Sequence, residues 1–358
     1  MKRALQLASK GRRFVSPNPM VGAVVVRDGR IVGEGYHEKY GQAHAEVNAL
    51  QAAGDASHGA TIYVTLEPCC HQGKTPPCVQ ALSDSGVTRV VIGSKDPNPL
   101  VNGKGIHILQ AKGLQVRVGV LESYCRQLNE AYFHYITTGK PLITLKMAQT
   151  LDGRIATSTG HSKWITSEDA RVMAHRLRSR HDAVLVGIGT VLADDPQLSV
   201  RHVRGPWPRR IILDSRLRVP LDATMLSDKN PHLTILVTTS AASKEKINRI
   251  TERGAMVLVL PENELGWVNP DALWKKMAEM GITSVLVEGG STVHTECLKR
   301  KNADRMVLFI APKILGSGID AIGDLGIRNI NSALTLSEVR MRNFGKDVMI
   351  AGKINYSW

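Results

Sequence analysis

Residue types that bind zinc occur at close spacing in the first quarter of the chain. They are His44 in His-Ala-Glu, Cys69 in Glu-Pro-Cys and Cys78 in Pro-Pro-Cys. One imidazole and two thiolates would fill three of the four positions that zinc prefers, and the fourth would be open to water. We therefore predict a catalytic zinc site, with one zinc per chain. Cys70 and His71 follow Cys69 directly, so a closed structural site with a fourth protein ligand is the alternative.

Glu46 lies two residues after His44 and is the candidate catalytic group. Residues i and i+2 do not share a face of a helix, so the two side chains converge only near a helix end. Cys78 follows two prolines that open another predicted helix, where the helix dipole favours a thiolate. We predict that Glu46 moves a proton from water to a leaving nitrogen, which displacement of an amino group from a ring requires.

The order His-x-Glu followed by Pro-Cys is the arrangement of zinc nucleobase deaminases. Those enzymes space their cysteines C-x-x-C, whereas eight residues separate Cys69 from Cys78 here. The inserted residues 70–77 are polar and basic, which suits the covering of an anionic substrate. A nucleic-acid base deaminase with an accessory domain would explain the positive charge of the chain. This alternative predicts the C-x-x-C spacing, however, which the sequence does not have. A zinc-stabilised binding protein without catalysis predicts four protein ligands.

The elements that must position these residues alternate between strand and helix, which predicts α/β sheets with helices on both faces. The dipeptide Asp28-Gly29 between two apolar runs predicts a hairpin. Residues 121–138 are expected to form one long helix. The sequence Thr-Gly-Lys-Pro that begins at Thr138 is a helix stop. We place a domain boundary there, with domains at 1–139 and 140–358.

The second half has one cysteine, Cys297, and no cluster of metal ligands in its sequence. It has two glycine-rich turns after predicted strands, Val287–Thr292 and Gly187–Thr190. Such turns can hold a phosphate at the start of a helix. Neither is a full GxGxxG fingerprint, so each could equally be an ordinary strand–helix turn, and a Rossmann domain is disfavoured.

Motifs in both halves resemble the bifunctional deaminase–reductase family of riboflavin biosynthesis. In the first half these are PNPMVG (17–22), HAEVNAL (44–50) and TLEPCCHQGKTPPC (65–78). In the second half they are KMAQTLDGRIA (146–156), SKWITS (162–167), GIGTVLADDPQLSVR (187–201) and VEGGSTVH (287–294). The resemblance covers nearly the whole chain and includes the long cysteine spacing. Cys70 departs from it, because the family often has Ser at that position.

The resemblance implies a cytidine-deaminase-like α/β/α domain followed by a dihydrofolate-reductase-like α/β domain that binds NADPH. The residues it places at the cofactor are Ala148, Trp164, Thr190, Asp194, Ser215, Gly290, Ser291, Thr292, Val293, His294, Thr295 and Glu296. Those it places at the substrate are Ser162, Arg178, Leu198, Arg201 and Glu288.

The chemistry of these side chains suits the roles that the resemblance implies. Arg178 and Arg201 can each bind a ribose phosphate through paired N–H donors. Glu288 can accept hydrogen bonds from the N–H groups of the pyrimidine. Trp164 would either cover the nicotinamide ring or belong to the core. The implied reactions are deamination of 2,5-diamino-6-(5-phosphoribosylamino)pyrimidin-4(3H)-one and reduction of the product's ribosyl group to ribityl. Lys146, Asp194 and a water molecule are the three candidates for the proton donor of the reduction.

Composition excludes several other classes of protein. The 358 residues allow about two domains, and an apolar fraction of 43% excludes a disordered or fibrous chain. No apolar run reaches the roughly 18 residues of a membrane span, and the basic start has no apolar segment of a secretory signal. The net charge of +14 suits a phosphorylated pyrimidine as well as a nucleic acid. We expect a soluble cytoplasmic homo-oligomer with a small phosphorylated substrate and no nucleic-acid or membrane partner.

Overall fold

The computed structural model describes residues 1–357. They form two compact units, one of residues Met1–Lys140 and one from Pro141 onward. The helices and strands of the first unit are α1 (Lys2–Ala8), β1 (Gly22–Arg27), β2 (Arg30–Tyr36), α2 (Ala45–Ala53), β3 (Thr61–Leu66), α3 (Cys78–Asp84), β4 (Arg89–Ser94), α4 (Lys104–Ala111), β5 (Gln115–Val118), α5 (Glu122–Leu128) and α6 (Glu130–Thr138).

The first unit contains a five-stranded sheet with the order β2-β1-β3-β4-β5. Its first three strands are antiparallel, and β3, β4 and β5 run parallel. Asp28 and Gly29 have φ angles of 49° and 74°. A type I′ turn requires positive φ at both central residues, so the predicted hairpin is confirmed. Because β3 and β4 are parallel, the residues that follow Leu66 and Ser94 lie at the same edge of the sheet.

Helix α2 packs closely on β2 because small residues face each other there. A Cβ atom at Gly35 would lie 2.4 Å from the backbone nitrogen of Ala49, and one at Gly33 would lie 2.3 Å from its carbonyl oxygen. Only glycine fits at these two positions. The start of α2, with His44 directly before it, is thereby fixed against the sheet.

The expected single helix at residues 121–138 is wrong, because the chain breaks at Asn129 into α5 and α6. The Asn129 side chain accepts a hydrogen bond from the Met20 amide at 2.7 Å and donates one to the Met20 carbonyl at 2.8 Å. These long-range bonds hold Asn129 out of helical geometry. The helix stop at Gly139 is confirmed, with a φ angle of 69° and a bond from its amide to the Tyr135 carbonyl.

The second unit contains β6 (Leu142–Thr150), β7 (Arg154–Thr157), α7 (Glu168–Arg178), β8 (Ala183–Gly187), α8 (Ile188–Asp194), β9 (Arg209–Leu213), α9 (Thr224–Ser227), β10 (Thr234–Thr238), α10 (Lys244–Glu252), β11 (Met256–Val259), α11 (Pro270–Glu279), β12 (Ser284–Gly289), α12 (Ser291–Lys299), β13 (Arg305–Ala311), β14 (Gly318–Asp320), β15 (Thr335–Phe344) and β16 (Asp347–Asn355). Strands β7 and β14 form a separate antiparallel pair.

The remaining nine strands form one sheet with the order β11-β10-β9-β8-β12-β6-β13-β16-β15. The seven strands from β11 to β13 are parallel, and the last two are antiparallel. Apolar clusters cover both faces of this sheet, one of them around Trp274 and Val287 and another around Ile212 and Leu236. Because the strands are parallel, their carboxyl ends meet along one edge, where ligands bind in such sheets. Among the described residues, no helix is long and apolar enough to cross a membrane.

Candidate active sites

The structure brings the three predicted zinc ligands of the first unit together. His44 directly precedes α2, Cys69 lies three residues beyond β3, and Cys78 is the first residue of α3. The Nδ1 atom of His44 lies 3.2 Å from the Cys78 Sγ atom and 3.5 Å from the Cys69 Sγ atom. All three candidate donor atoms lie within 4.8 Å of one another.

This donor set suits zinc, which prefers imidazole nitrogen and thiolate sulfur in a tetrahedral arrangement. Within residues 1–357, no fourth His, Cys, Asp or Glu joins the group. The Cys70 thiol instead contacts the Leu100 carbonyl at 3.5 Å. Three protein donors leave one coordination position for water or substrate, which favours the catalytic alternative over the closed structural one.

The two thiols of this group are unequal. The hydrogen bond from Cys78 lowers the pKa of Cys69 to about 4, and the same contact raises the pKa of Cys78 above its usual value. This contact favours a thiolate at Cys69. A cation held between the two sulfur atoms and His44 would favour the thiolate form of Cys78 as well, as expected for a site that binds metal through thiolates.

Glu46 lies in the first turn of α2, and its side chain is only 3% exposed. Burial raises the pKa of its carboxyl to about 7. Because the helix begins at Ala45, His44 is still extended and Glu46 is in the first helical turn, so both side chains lie at the same end of the helix. This is the convergence that the short His-x-Glu spacing requires.

Thr75 is a residue of this site that the sequence did not identify. Its hydroxyl oxygen lies 3.3 Å from Nε2 of His44, on the opposite side of the ring from the two thiols. Such a partner fixes the orientation of a metal-binding imidazole. Thr75 belongs to the insertion between the two cysteines, so that insertion supports the His44 ligand.

The second unit has a large cavity of about 1450 Å³ along the carboxyl edge of its sheet. All the residues predicted to contact cofactor or substrate line it, with the exception of Thr295. The hydroxyl of Thr295 donates to the Ser291 carbonyl and accepts from the Gly323 amide at 2.7 Å. Thr295 therefore lies on the other face of α12, and its predicted cofactor contact has no support in the structure.

The turn between β12 and α12 fits a phosphate group. Gly290 has a φ angle of 87°, and a Cβ atom at Gly289 would lie 2.7 Å from the Thr190 hydroxyl. Gly189 lies in the first turn of α8, and a Cβ atom there would meet nothing within 4 Å. Gly290 and Ser291 line the cavity, so backbone N–H groups at the start of the nine-residue helix α12 face it. A dinucleotide cofactor fits this geometry.

Arg178, which is expected to bind the ribose phosphate, forms a buried pair with Glu288 in this cavity. The Nε and Nη2 atoms of Arg178 donate to the two carboxylate oxygens of Glu288 at 2.6 and 2.8 Å. Burial opposes ionisation of Glu288, but the charge and hydrogen bonds of Arg178 outweigh it and lower its pKa to about 2. Arg201, in contrast, is exposed; its guanidinium donates to the Gln197 side chain at 3.1 Å, and its backbone amide donates to Nδ1 of His175 at 3.3 Å.

Other predicted residues of the cavity adjoin one another. The Ser162 hydroxyl lies 3.4 Å from a carboxylate oxygen of Asp194. Trp164 is 65% exposed and stacks under the Arg171 guanidinium at 4.4 Å, so it is not a core residue. Burial lowers the pKa of Lys146, which lies close to both Glu288 and Arg178.

Comparison with known proteins gives a consistent assignment for both units. The RibD C-terminal domain family matches residues 141–350, and the zinc-binding region of cytidine and deoxycytidylate deaminases matches residues 1–94. The riboflavin biosynthesis protein RibD of Aquifex aeolicus is 50% identical over 98% of this chain and 96% of its own length. RibD of Escherichia coli is 40% identical over 98% of this chain and 97% of its own length.

Solved structures agree with these sequence matches. Acinetobacter baumannii RibD superposes with a TM-score of 0.88 at 35% identity, over 99% of this chain and 97% of that one. A diaminohydroxyphosphoribosylaminopyrimidine deaminase/5-amino-6-(5-phosphoribosylamino)uracil reductase of Thermotoga maritima superposes with a TM-score of 0.83 at 36% identity, with the same coverage.

These findings confirm the expected fold, a deaminase-like α/β domain followed by a reductase α/β domain. They also confirm the two expected cofactors. Zinc belongs to the domain with the His-Cys-Cys group, and NADPH belongs to the reductase domain. The chain belongs to the RibD family, the bifunctional deaminase–reductases of riboflavin biosynthesis.

Proposed function

We propose that the first domain removes the amino group of 2,5-diamino-6-(5-phosphoribosylamino)pyrimidin-4(3H)-one by hydrolysis. The second domain then reduces the ribosyl group of the resulting 5-amino-6-(5-phosphoribosylamino)uracil to ribityl. The observation that carries the first step is the group of His44, Cys69 and Cys78, with the buried Glu46 carboxyl beside it. The Thermotoga maritima relative is a deaminase/reductase of these compounds, which supports both substrates.

In the deaminase site, His44, Cys69 and Cys78 hold the zinc, and Glu46 is the catalytic residue. Zinc supplies Lewis acidity that makes water easier to deprotonate. Glu46 accepts the proton of the attacking water on its carboxylate and delivers it to the leaving amino nitrogen, so that ammonia departs. The Thr75 hydroxyl holds the His44 ring in place. The low exposure of Glu46 keeps bulk water from competing for its proton.

In the reductase site, Glu288 binds N–H groups of the pyrimidine and Arg201 binds the ribose phosphate. NADPH supplies the hydride. Each carboxylate oxygen of Glu288 accepts one bond from Arg178 and keeps capacity for another, so the pair can still accept from the substrate. Arg178 is thus a positioning residue for Glu288. Arg201 is exposed and lines the same cavity, which suits a phosphate that arrives from solvent.

Ammonia release from the diaminopyrimidine phosphate, measured with and without NADPH, tests the first step. We expect release without NADPH, and a decrease of about 10²- to 10⁴-fold in Glu46→Gln, which loses its acid–base group. Glu38→Gln is the control, because Glu38 is an exposed carboxyl of the same domain.

The same Glu46→Gln protein should keep its zinc and should still oxidise NADPH when it is given the deaminated pyrimidine. Loss of both activities in this variant, or ammonia release that depends on NADPH, would contradict the assignment of one reaction to each domain.

A homo-oligomeric state and a cytoplasmic location stay predictions. Light scattering of the purified chain would test the first, and fractionation of cells that produce it would test the second. We also propose that the substrate is this small phosphorylated pyrimidine and that no nucleic acid takes its place, because the reductase cavity combines a phosphate-binding arginine with a dinucleotide turn.

A further inference from the structure

The segment 197–201 carries Arg201 to the reductase cavity without forming a helix or a strand. Its middle residues, Leu198, Ser199 and Val200, are all buried, whereas Arg201 is exposed and lines the cavity. Leu198 has a φ angle of 51°, in the left-handed region that is unfavourable for residues other than glycine. Such a segment keeps its conformation only where neighbouring elements hold it.

Helix α7 supplies two side chains that hold this segment. The Nη1 atom of Arg178 donates to the buried Ser199 carbonyl at 3.1 Å, and Nδ1 of His175 lies 2.9 Å from the same oxygen. Residues three apart share a face of a helix, so both side chains reach the segment from one side. The amide nitrogen of Arg201 lies 3.3 Å from the same Nδ1 atom. His175 therefore contacts the backbone at Arg201 itself.

The His175 ring can bind this segment in either tautomer. With its proton on Nδ1 it donates to the Ser199 carbonyl, and with its proton on Nε2 it accepts from the Arg201 amide. Burial and the positive charge of Arg178 lower the pKa of His175 to about 4. The ring is therefore neutral near neutral pH, and it packs edge-on against the His202 ring with centroids 4.7 Å apart. It acts on the segment through hydrogen bonds and adds no charge to the site.

The same helix face also holds the residue assigned to the pyrimidine. Arg178 donates through Nε and Nη2 to the Glu288 carboxylate, while its Nη1 atom reaches Ser199. Helix α7 thus links Glu288 on β12 to the segment that carries Arg201. A substrate with its pyrimidine at Glu288 and its phosphate at Arg201 requires a set distance between these two groups.

We propose that His175 is a positioning residue that holds Arg201 at the distance from Glu288 that a phosphorylated ribosyl chain requires. It acts through the backbone of Ser199 and Arg201. The inference rests on the proposed role of Arg201 at the ribose phosphate. His175 lies outside every motif that carries the family resemblance, between residues 162–167 and 187–201.

Kinetics of the reduction by the full-length protein at saturating NADPH test the proposal. The two substrates are the deaminated pyrimidine phosphate and its riboside, which lacks the phosphate. Arg201→Ala should raise KM for the phosphorylated substrate by about 10- to 150-fold, the range for a lost charge-assisted bond. His175→Ala should raise it by about 10-fold or more but not beyond Arg201→Ala, with kcat unchanged within about twofold. The kcat/KM for the riboside should change by less than about threefold in both variants.

Two further substitutions at His175 separate its ring nitrogens. The amide of asparagine reaches the position of Nδ1 and can donate or accept there, so His175→Asn should keep KM within about threefold of the wild-type value. The amide of glutamine reaches the position of Nε2 instead, so His175→Gln should resemble His175→Ala. If His175→Ala does not fold, as NADPH titration would show, the comparison of these two variants decides.

His181→Ala is the matched control, because His181 is a buried histidine that follows the same helix but does not line the cavity. Its ring nitrogens lie 2.8 Å from the Leu177 carbonyl and 3.1 Å from the Thr144 hydroxyl, not against the segment 197–201. This variant should leave KM for both substrates unchanged. NADPH should bind all the folded variants with wild-type affinity.

The double variant His175→Ala/Arg201→Ala should have the KM of Arg201→Ala alone, because His175 acts only through Arg201. Additive losses would overturn the proposal, since His175 would then bind the substrate itself. Equal losses with both substrates, or rescue by glutamine instead of asparagine, would also overturn it. A normal KM in His175→Ala beside a raised one in Arg201→Ala would contradict this inference alone. A normal KM in Arg201→Ala would contradict the proposed phosphate site.

Discussion

The residues that carry the chemistry of the deaminase site lie at the ends of elements rather than within them. His44 and Cys78 adjoin the starts of α2 and α3, and Cys69 follows the end of β3. The backbone amide of Cys78, at the start of α3, donates to the Cys69 Sγ atom at 3.3 Å and favours the thiolate of Cys69, which is the form that binds zinc. The same placement brings Glu46 next to His44, which a position in mid-helix would not allow.

Replacing one cysteine at a time distinguishes the site of His44, Cys69 and Cys78 from a site in which Cys70 binds the zinc. We expect Cys78→Ser to lose most of its zinc, because two remaining donors bind the metal far more weakly than three. Cys70→Ser is the matched control, since the Cys70 thiol lies next to Cys69 in sequence but outside the donor group. Metal analysis of both purified variants gives the result. A Cys70→Ser protein without zinc, beside a fully loaded Cys78→Ser protein, would reverse the ligand assignment.

The buried Arg178–Glu288 pair predicts a pH-dependent contribution to stability. The folded pKa of Glu288, about 2, lies below its ordinary value of 4.5. The pair therefore stabilises the fold fully above about pH 4.5, and this contribution decreases as the pH falls toward 2. Removing Arg178 takes both side-chain hydrogen bonds from a buried carboxylate, and breaking a buried pair typically costs about 3–5 kcal/mol.

We expect Arg178→Ala to lower the free energy of unfolding by about that amount at pH 7 and by less at pH 3.5, measured in urea. Arg176→Ala is the control, because Arg176 is exposed on the same helix. If Arg178→Ala and Arg176→Ala had the same free energy of unfolding at both pH values, the Arg178–Glu288 pair would not contribute to stability in solution.

Loops at the edge of the first sheet depend on one buried acid, Glu67. Its carboxylate accepts bonds from the amides of Asp96, Gly103 and Ile106 at 3.2, 3.0 and 3.3 Å. Glu67 lies two residues before Cys69, so this contact ties the loop after β4 and the start of α4 to the metal-binding segment.

We expect Glu67→Ala to lower the free energy of unfolding of the first domain by about 3 kcal/mol or more, because each unsatisfied buried donor costs about 1–3 kcal/mol. Glu38→Ala, at an exposed site of the same domain, should cost less than about 0.5 kcal/mol. Denaturant titration of the zinc-loaded proteins compares them. A Glu67→Ala protein as stable as Glu38→Ala would show that the loop holds its position without this carboxylate.

At the scale of elements, the sequence predicted what depends on local patterns and missed what depends on distant contacts. The alternation of strand and helix, the hairpin at Asp28-Gly29 and the helix stop at Gly139 were predicted from local patterns and are present. The break at Asn129 depends on Met20, more than a hundred residues away, and local periodicity contains no sign of it. Strand β15 was missed because most of its residues are exposed and only β16 pairs with it, at the sheet edge.

In the candidate sites, too, local sequence patterns predicted some features, and contacts between distant residues determined the others. The zinc group was predictable because its residue types and motifs are distinctive in sequence. Thr295, which the resemblance places at the cofactor, does not line the cavity, because a motif run does not tell which face of a helix each residue occupies. Its hydroxyl accepts a hydrogen bond from the Gly323 amide. The pairing of Arg178 with Glu288 joins α7 to β12, and only the folded sheet brings those elements together. Thr75 lacked any sequence signal, since a hydroxyl in a polar insertion is unremarkable.

At the scale of the whole molecule, each unit has the features of a separate catalytic domain. The first has its own apolar core around β3 and β4, and the second has cores on both faces of its nine-stranded sheet. Each also contains all the residues assigned to its own reaction. Nothing in either set of roles requires a side chain from the other unit.

Cutting the chain between Thr138 and Pro141 should therefore give two folded proteins, because the cut follows the helix stop at Gly139 and opens neither core. The fragment 1–140 should retain one zinc and release ammonia from the diaminopyrimidine phosphate without NADPH. The fragment from Pro141 onward should bind NADPH without zinc, as titration of each purified fragment would measure. A cut after Met147 is the control, because it divides β6 between β12 and β13 in the middle of the sheet, and its second fragment should aggregate. Insolubility after the Thr138–Pro141 cut, or a second fragment that ignores NADPH, would show that the domains depend on each other to fold or to bind.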